Sequence, residues 1–242
     1  MPSTDSVTLV SALARALSAQ LIETHISWVL LTDELAYKIK KPIRLSFIDY
    51  GTLQARQHFC EEEVRLNRRL APALYLGVTA ITGSLQAPVL DGTGPVLEYA
   101  VRMRRFPDGA LFSEMIVAGA LAAKHIDQLA ALLAEFHGSA ARASADSGFA
   151  SPARRQSSAI KALAGLPSFS SGDQYALLLA WVPAESAPLT PMWASRLLDG
   201  PMRDSPVPLH LAHVIAPGSC LPAFASVDFT LSFPPPLLPP SL

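Results

Sequence analysis

The chain is short of cysteine, short of charge and, over its first fifty residues, without glycine. Its two cysteines, Cys60 and Cys220, stand far apart in 242 residues. Two thiols build no disulfide framework, so a reducing cytoplasm is the expected compartment. Charged residues make up 16% of the chain and nearly cancel, leaving a net charge of -1. That balance supplies no basic surface for nucleic acid or for an anionic membrane. No apolar run reaches the ~18 residues a bilayer span requires. The best candidates are interrupted by Lys124, His125, Asp127 and Glu135. The opening residues, 1–5, carry an acid and no basic stretch, which argues against a secretory leader. Two motifs are also missing. Without G-x-x-x-x-G-K-[ST] there is no P-loop, and without G-x-S-x-G there is no nucleophile elbow. His210, His213 and Cys220 could supply three zinc ligands. Their spacing is loose and no fourth ligand is evident, so solvated loop histidines are the simpler reading.

What the chain does have is apolar residues, which are half of it, and 21 prolines, ten of them after Gly200. Its length and hydrophobicity suffice for one large core or two smaller lobes. Residues 232–242 read S-F-P-P-P-L-L-P-P-S-L. Proline has no amide donor and a fixed φ, so this stretch is expected to be a tail outside regular structure.

Between these limits the pattern is mixed. Leu9, Val10, Leu13, Leu17 and Leu21 recur at helical spacing over residues 6–21. A hairpin signal follows: a β-branched and aromatic run at 27–31, a turn at 32–34, and an alternating run at 35–41. In that second strand Ala36, Lys38 and Lys40 share one face, opposite Leu35, Tyr37 and Ile39. A helix is expected over 53–70, with Phe59, Glu63, Leu66 and Leu70 in one stripe. Strands are expected over 74–81 and 95–103, parted by Asp91-Gly92-Thr93-Gly94. A helix is expected over 111–137, with Gly138 placed to stop it. Short helices are expected at 174–182 and 192–198. Strands with one helix come first and helices follow, an α+β order that suggests two lobes joined near residues 102–106.

A strand lysine paired with a helix glutamate is how kinase-like enzymes position nucleotide phosphates. The polyphosphate needs a cation inside a cleft, and the ammonium needs an anion to fix it. Ala36-x-Lys38 echoes the end of the kinase strand motif. Glu63, inside an apolar stripe, asks for a partner because an unpaired buried carboxylate is costly. The spacing leaves alternatives open. Lys38 and Lys40 could be solvated on the outer face of an edge strand, and Glu61 or Glu62 could replace Glu63.

Five blocks in order carry a resemblance. They are Glu23-Thr24-His25-Ile26-Ser27-Trp28-Val29, Ala36-Tyr37-Lys38-Ile39-Lys40-Lys41-Pro42, the 58–72 region with His58-Phe59-Cys60-Glu61-Glu62-Glu63, Glu98-Tyr99-Ala100-Val101-Arg102-Met103-Arg104-Arg105-Phe106-Pro107, and Leu133-Ala134-Glu135-Phe136-His137. Together they resemble the bacterial aminoglycoside-phosphotransferase-like family, whose longer members carry an appended C-terminal P-loop ATPase domain. The resemblance implies a protein-kinase-like bilobal fold, with a nucleotide-binding N-lobe at 1–103 and a helical C-lobe at 104–231, followed by the tail. It implies ATP and Mg2+ as cofactors and phosphoryl transfer to a hydroxyl of a small-molecule acceptor. Lys38 is then the phosphate-binding lysine, Glu63 its partner, and Ala100 to Met103 the hinge that touches adenine.

The same resemblance points to a deficit. The family's catalytic loop, D-C-H-G-D-L-H-L-x-N, falls without gaps on residues 204–213. Leu209, His210, Leu211 and Ala212 match its flank, but Pro208 stands where the catalytic Asp belongs and His213 where the Asn belongs. A second motif, F-D-C-[IV]-[DE]-F, falls on 224–229 and puts Ala225 in place of the metal-binding Asp. Losing base and metal ligand together removes the groups that orient the nucleophile and neutralise the transferring phosphate. The expectation is an impaired or inactive kinase-like chain, through a truncated or damaged coding sequence. The alternative is a non-catalytic nucleotide-binding pseudokinase or interaction module.

Overall fold

The computed structural model describes residues 4–45, 48–141, 151–163, 172–198, 211, 214–216 and 223–224. In chain order the elements are α1 (Thr4–Ala16), β1 (Gln20–Glu23), β2 (Ser27–Leu31), β3 (Leu35–Lys40), β4 (Arg44–Leu45), β5 (Ile48–Asp49), α2 (Leu53–Asn67), β6 (Tyr75–Gly83), β7 (Pro88–Leu90) and β8 (Glu98–Arg104). They are followed by α3 (Phe112–Val117), α4 (Ala123–Ser139), α5 (Pro152–Leu163), α6 (Gly172–Leu198), β9 (Val214–Ile215) and β10 (Ala223–Phe224). The fold is mixed α+β. Packing divides the chain into two units, Met1–Leu132 with Leu209–Phe229, and Leu133–Pro208 with Thr230–Leu242.

The first unit is built on a six-stranded antiparallel sheet of order β1-β2-β3-β8-β6-β7. Its two faces carry different cores because strand side chains alternate. On one face Trp28, Leu30, Tyr37, Ile39, Ile81 and Ala100 pack with Leu9, Val10, Leu13 and Ala14 of α1. On the other, Tyr75 and Val101 pack with Cys60 and Val64 of α2 and with Ile215 of β9. The short β9–β10 ribbon joins this unit through a bridge from Ile215 to Leu111 and a hydrogen bond from the Ala216 N–H to the Ala110 carbonyl at 2.9 Å.

Local rules explain where the elements stop. α1 ends earlier than its apolar spacing suggests because Ser18 takes a left-handed φ of 49° and the Ala19 N–H turns back to the Ala14 carbonyl at 2.9 Å. Leu21 therefore belongs to β1, which the alternation did not reveal. Thr52 caps α2, its hydroxyl oxygen accepting from the Ala55 N–H at 3.1 Å. The helix expected over 111–137 is two helices. Gly119, at φ +65°, closes α3 by donating to the Ile116 carbonyl at 3.1 Å while the Ala120 N–H reaches Met115 at 2.8 Å. That double return is a Schellman motif, and the positive φ is what glycine supplies.

In the second unit α5 and α6 pack on each other. The two helices expected at 174–182 and 192–198 are one, α6, which contains Pro183, Pro188 and Pro191. Each proline removes one backbone hydrogen bond without ending the helix here. Among the described residues, no helix is long and apolar enough to cross a membrane.

Candidate functional site

Lys38 and Lys40 are two residues apart on β3 and so emerge on the same face of the sheet. β3 is not an edge strand. It lies between β2 and β8, with Lys38 opposite Val29 on one side and Val101 on the other. Both lysines are buried, at 4% and 1% exposure. The solvated reading fails because both neighbours of β3 are strands and α2 covers the lysine face.

Their anion is Glu63 of α2, itself 1% exposed. Lys38 Nζ donates to Glu63 Oε1 at 3.0 Å and Lys40 Nζ to Oε2 at 2.7 Å. One carboxylate thus serves two ammonium groups, one on each oxygen. Neither Glu61 nor Glu62 takes this role. Glu61 accepts from Gln57 at 3.0 Å, and Glu62 accepts from Arg65 at 2.9 and 2.6 Å on the outer side of the helix. Arg65 also holds the Glu62 carboxyl below the usual carboxylate range.

The buried face of α2 is more polar than the expected Phe59-centred stripe. It reads Arg56, Cys60, Glu63, Val64, Leu66 and Asn67. Arg56 Nε donates to both oxygens of Glu98 on β8, at 2.9 and 2.8 Å, and its Nη1 donates to the Tyr50 carbonyl at 2.8 Å. Burial pushes the Glu98 carboxyl above its usual range, against the pull of Arg56. Cys60 lies between the two ion pairs and is fully buried. Burial pushes its thiol up to about 12. Tyr50, also fully buried, places its ring 5.0 Å from Lys40 Nζ and stacks edge-on with Phe59 at 4.9 Å. Asn67 donates to the Glu63 carbonyl at 2.9 Å, one turn along the helix.

Next to this cluster, Lys41 Nζ donates to Glu23 Oε1 at 2.6 Å and to the Thr24 carbonyl at 2.5 Å, 5.3 Å from the Trp28 ring. The Lys41 N–H bonds the Ile26 carbonyl at 2.8 Å, so the turn from β1 to β2 is tied to the end of β3. The turn at 32–34, between β2 and β3, is held from elsewhere. Arg105 donates to the Thr32 carbonyl at 3.1 Å, and its N–H to the Glu34 carbonyl at 2.8 Å.

The two residues expected at an adenine-contacting hinge, Ala100 and Met103, lie within β8. Ala100 pairs with Ile39 and Thr79, and Met103 with Ala36 and Tyr75, so each has a strand on both sides. They also face opposite sides of the sheet. Ala100 belongs to the α1 core, and Met103 packs on the α2 core. The side chain of Met103 thus shares the lysine face and that of Ala100 does not.

Pro208, His213 and Ala225 lie outside the described residues. The strand ends bonded to two of them are Val214 and Phe224, which are Cα partners in the β9–β10 ribbon. Ile215, next in β9, is 1% exposed in the core that carries Cys60 and Val64. Among the described residues, no group of three His, Cys, Asp or Glu side chains could hold a metal ion.

Sequence reasoning missed Arg56, Glu98, Cys60 and Tyr50. A signal for the first did exist. Arg56, Cys60, Glu63 and Asn67 recur at spacings of four, three and four, as regular as the stripe of Phe59, Glu63, Leu66 and Leu70.

No protein-family model matches the chain, and no solved structure matches it. Curated relatives do exist. The chain is 36% identical over 120 residues to an uncharacterized protein of Mycobacterium tuberculosis (strain H37Rv) and, at the same identity, to one of Mycobacterium bovis. The alignment takes in 50% of this chain and 22% of each relative, so the chain covers about a fifth of the length of these proteins.

Proposed function

We propose that the first unit contains the nucleotide-binding lobe, residues 1–103, of a kinase-like chain related to the aminoglycoside phosphotransferases. One observation carries this reading: the buried contact between Lys38 on the third strand and Glu63 on the helix that follows. Kinase-like phosphotransferases place the phosphate-binding lysine and its glutamate on those two elements.

Donor chemistry separates the two cofactors that such a lobe would use. A fixed ammonium group suits nucleotide phosphates, and Lys38 supplies one. For magnesium the fit is poor. The expected metal-binding position carries Ala225, whose methyl group has no ligand atom.

Phosphoryl transfer also needs a carboxylate to accept the acceptor's hydroxyl proton, and Pro208 cannot do so. The same pair of facts, a retained lysine–glutamate site and a lost base, favours nucleotide binding without efficient transfer. The reading is therefore a phosphotransferase-like protein impaired in catalysis, with a pseudokinase role as the alternative that keeps the same site.

Titration calorimetry with ATP and magnesium tests it, with the melting temperature followed in parallel. Binding is expected, with a rise in melting temperature that Lys38→Ala abolishes in a folded variant. No binding at millimolar ATP would overturn the reading. A phosphate-release and transfer assay on the same sample then separates the impaired enzyme from the pseudokinase.

A further inference from the structure

We infer that α2 is fastened to the sheet by two ion pairs that need no nucleotide, Lys40–Glu63 and Arg56–Glu98, so that Glu63 stays in place whether or not Lys38 engages a phosphate. This rests on the proposed nucleotide site and adds its control. In kinase-like enzymes the position of this helix decides whether the lysine–glutamate pair forms. A helix held by one lysine alone would lose its fastening when phosphate drew the ammonium away, leaving a buried carboxylate at high cost. Here the second oxygen of Glu63 is held separately by Lys40 at 2.7 Å.

The two fastenings are also joined. Arg56 and Glu63 lie two helical turns apart on one face of α2, one ending on β8 and the other on β3. Tyr50 connects them. Its carbonyl accepts from Arg56 at 2.8 Å, and its ring lies 5.0 Å from Lys40 Nζ. Rotating or lifting α2 would break both pairs and expose Tyr50 together. Lys40 and Arg56 are therefore positioning residues, which hold Glu63 and α2 without relying on Lys38.

Cys60, between the pairs and fully buried, reports lifting of the helix. The test uses the full chain with Cys220→Ser, so that Cys60 is its single thiol, and follows labelling by an aromatic disulfide at pH 8 without nucleotide. Arg56→Gln and Lys40→Met are expected to accelerate labelling roughly tenfold or more through local opening, whereas Lys38→Met stays within about twofold of the parent. Leu13→Ala, in the core on the other face of the sheet, gives the control for general loss of stability. If the Arg56 and Lys40 variants label no faster than that control, or if Lys38→Met opens the helix as far as they do, the inference fails. Should Arg56→Gln not fold, Glu98→Gln keeps the shape, removes the charge and carries the same expectation. ATP binding by the parent is measured alongside. Its absence would remove the nucleotide reading, while the labelling order would still decide the fastening.

Discussion

Arg56 and Glu63 stand two turns apart on the buried face of α2 with opposite charges, and each reaches a different strand of the sheet. A helix normally docks on a sheet through apolar side chains. This one adds charge of alternating sign, met by Glu98 on β8 and by Lys38 and Lys40 on β3. Several outcomes follow from this arrangement.

Replacing Glu63 by Gln leaves two buried lysines without their shared carboxylate. The expected loss of stability is about 3–5 kcal/mol, the range found when one partner of a buried pair is removed. Substituting all three groups with apolar residues, as Lys38→Met, Lys40→Met and Glu63→Leu, is expected to recover most of that loss while abolishing the ATP binding proposed above. Urea unfolding and calorimetry on the same samples would check both halves.

Glu62→Gln is the contrasting case. Its partner Arg65 is more than half exposed, and the pair lies on the outer side of α2. A change within about 0.5 kcal/mol is expected, as for other surface pairs. A loss comparable to that of Glu63→Gln would contradict the assignment of Glu63 as the buried partner.

Glu98 gives the chain a pH dependence of definite sign. Burial raises its folded pKa above the usual 4.5, so between the two values the folded chain holds a proton that the unfolded chain has lost. That contribution is complete below the unfolded value and is lost as pH rises through the folded one. Relative to Glu98→Gln, the parent's urea midpoint should therefore fall as pH is raised from 4.5. A rise over the same window would show that Arg56 outweighs burial.

Gly119→Ala tests the break between α3 and α4. With φ at +65°, the added methyl meets no atom within 4 Å, so the cost is conformational rather than steric contact with a neighbour. A loss of about 1 kcal/mol is expected. An unchanged melting temperature would mean that the Schellman turn is not required.

Much of the first unit could be read from pattern. The strand runs at 27–31 and 35–41 and the helix beginning at residue 53 were legible because their periods are local properties of the chain. Glu63 was legible because a carboxylate in an apolar stripe demands a partner. Other features were not. β1 and β7 are short, and nothing in their own residues required pairing; they form because β2 and β6 offer edges. Gly119 carried a signal for its break, yet the apolar spacing on either side runs through it and hid the division.

The sequence by itself determined which residues could share a face: Lys38 with Lys40 on a strand, Arg56 with Cys60 and Glu63 on a helix. It also determined that residues 208, 213 and 225 lack a carboxylate or amide side chain. The tertiary structure decided that β3 is an interior strand and that α2 crosses the face bearing both lysines. Only then does one carboxylate meet two ammonium groups, and only then do Arg56 and Glu98, forty-two residues apart, become a pair. The reason is physical. Side-chain period is set by backbone geometry over a few residues, whereas burial of a charge depends on which distant element covers it.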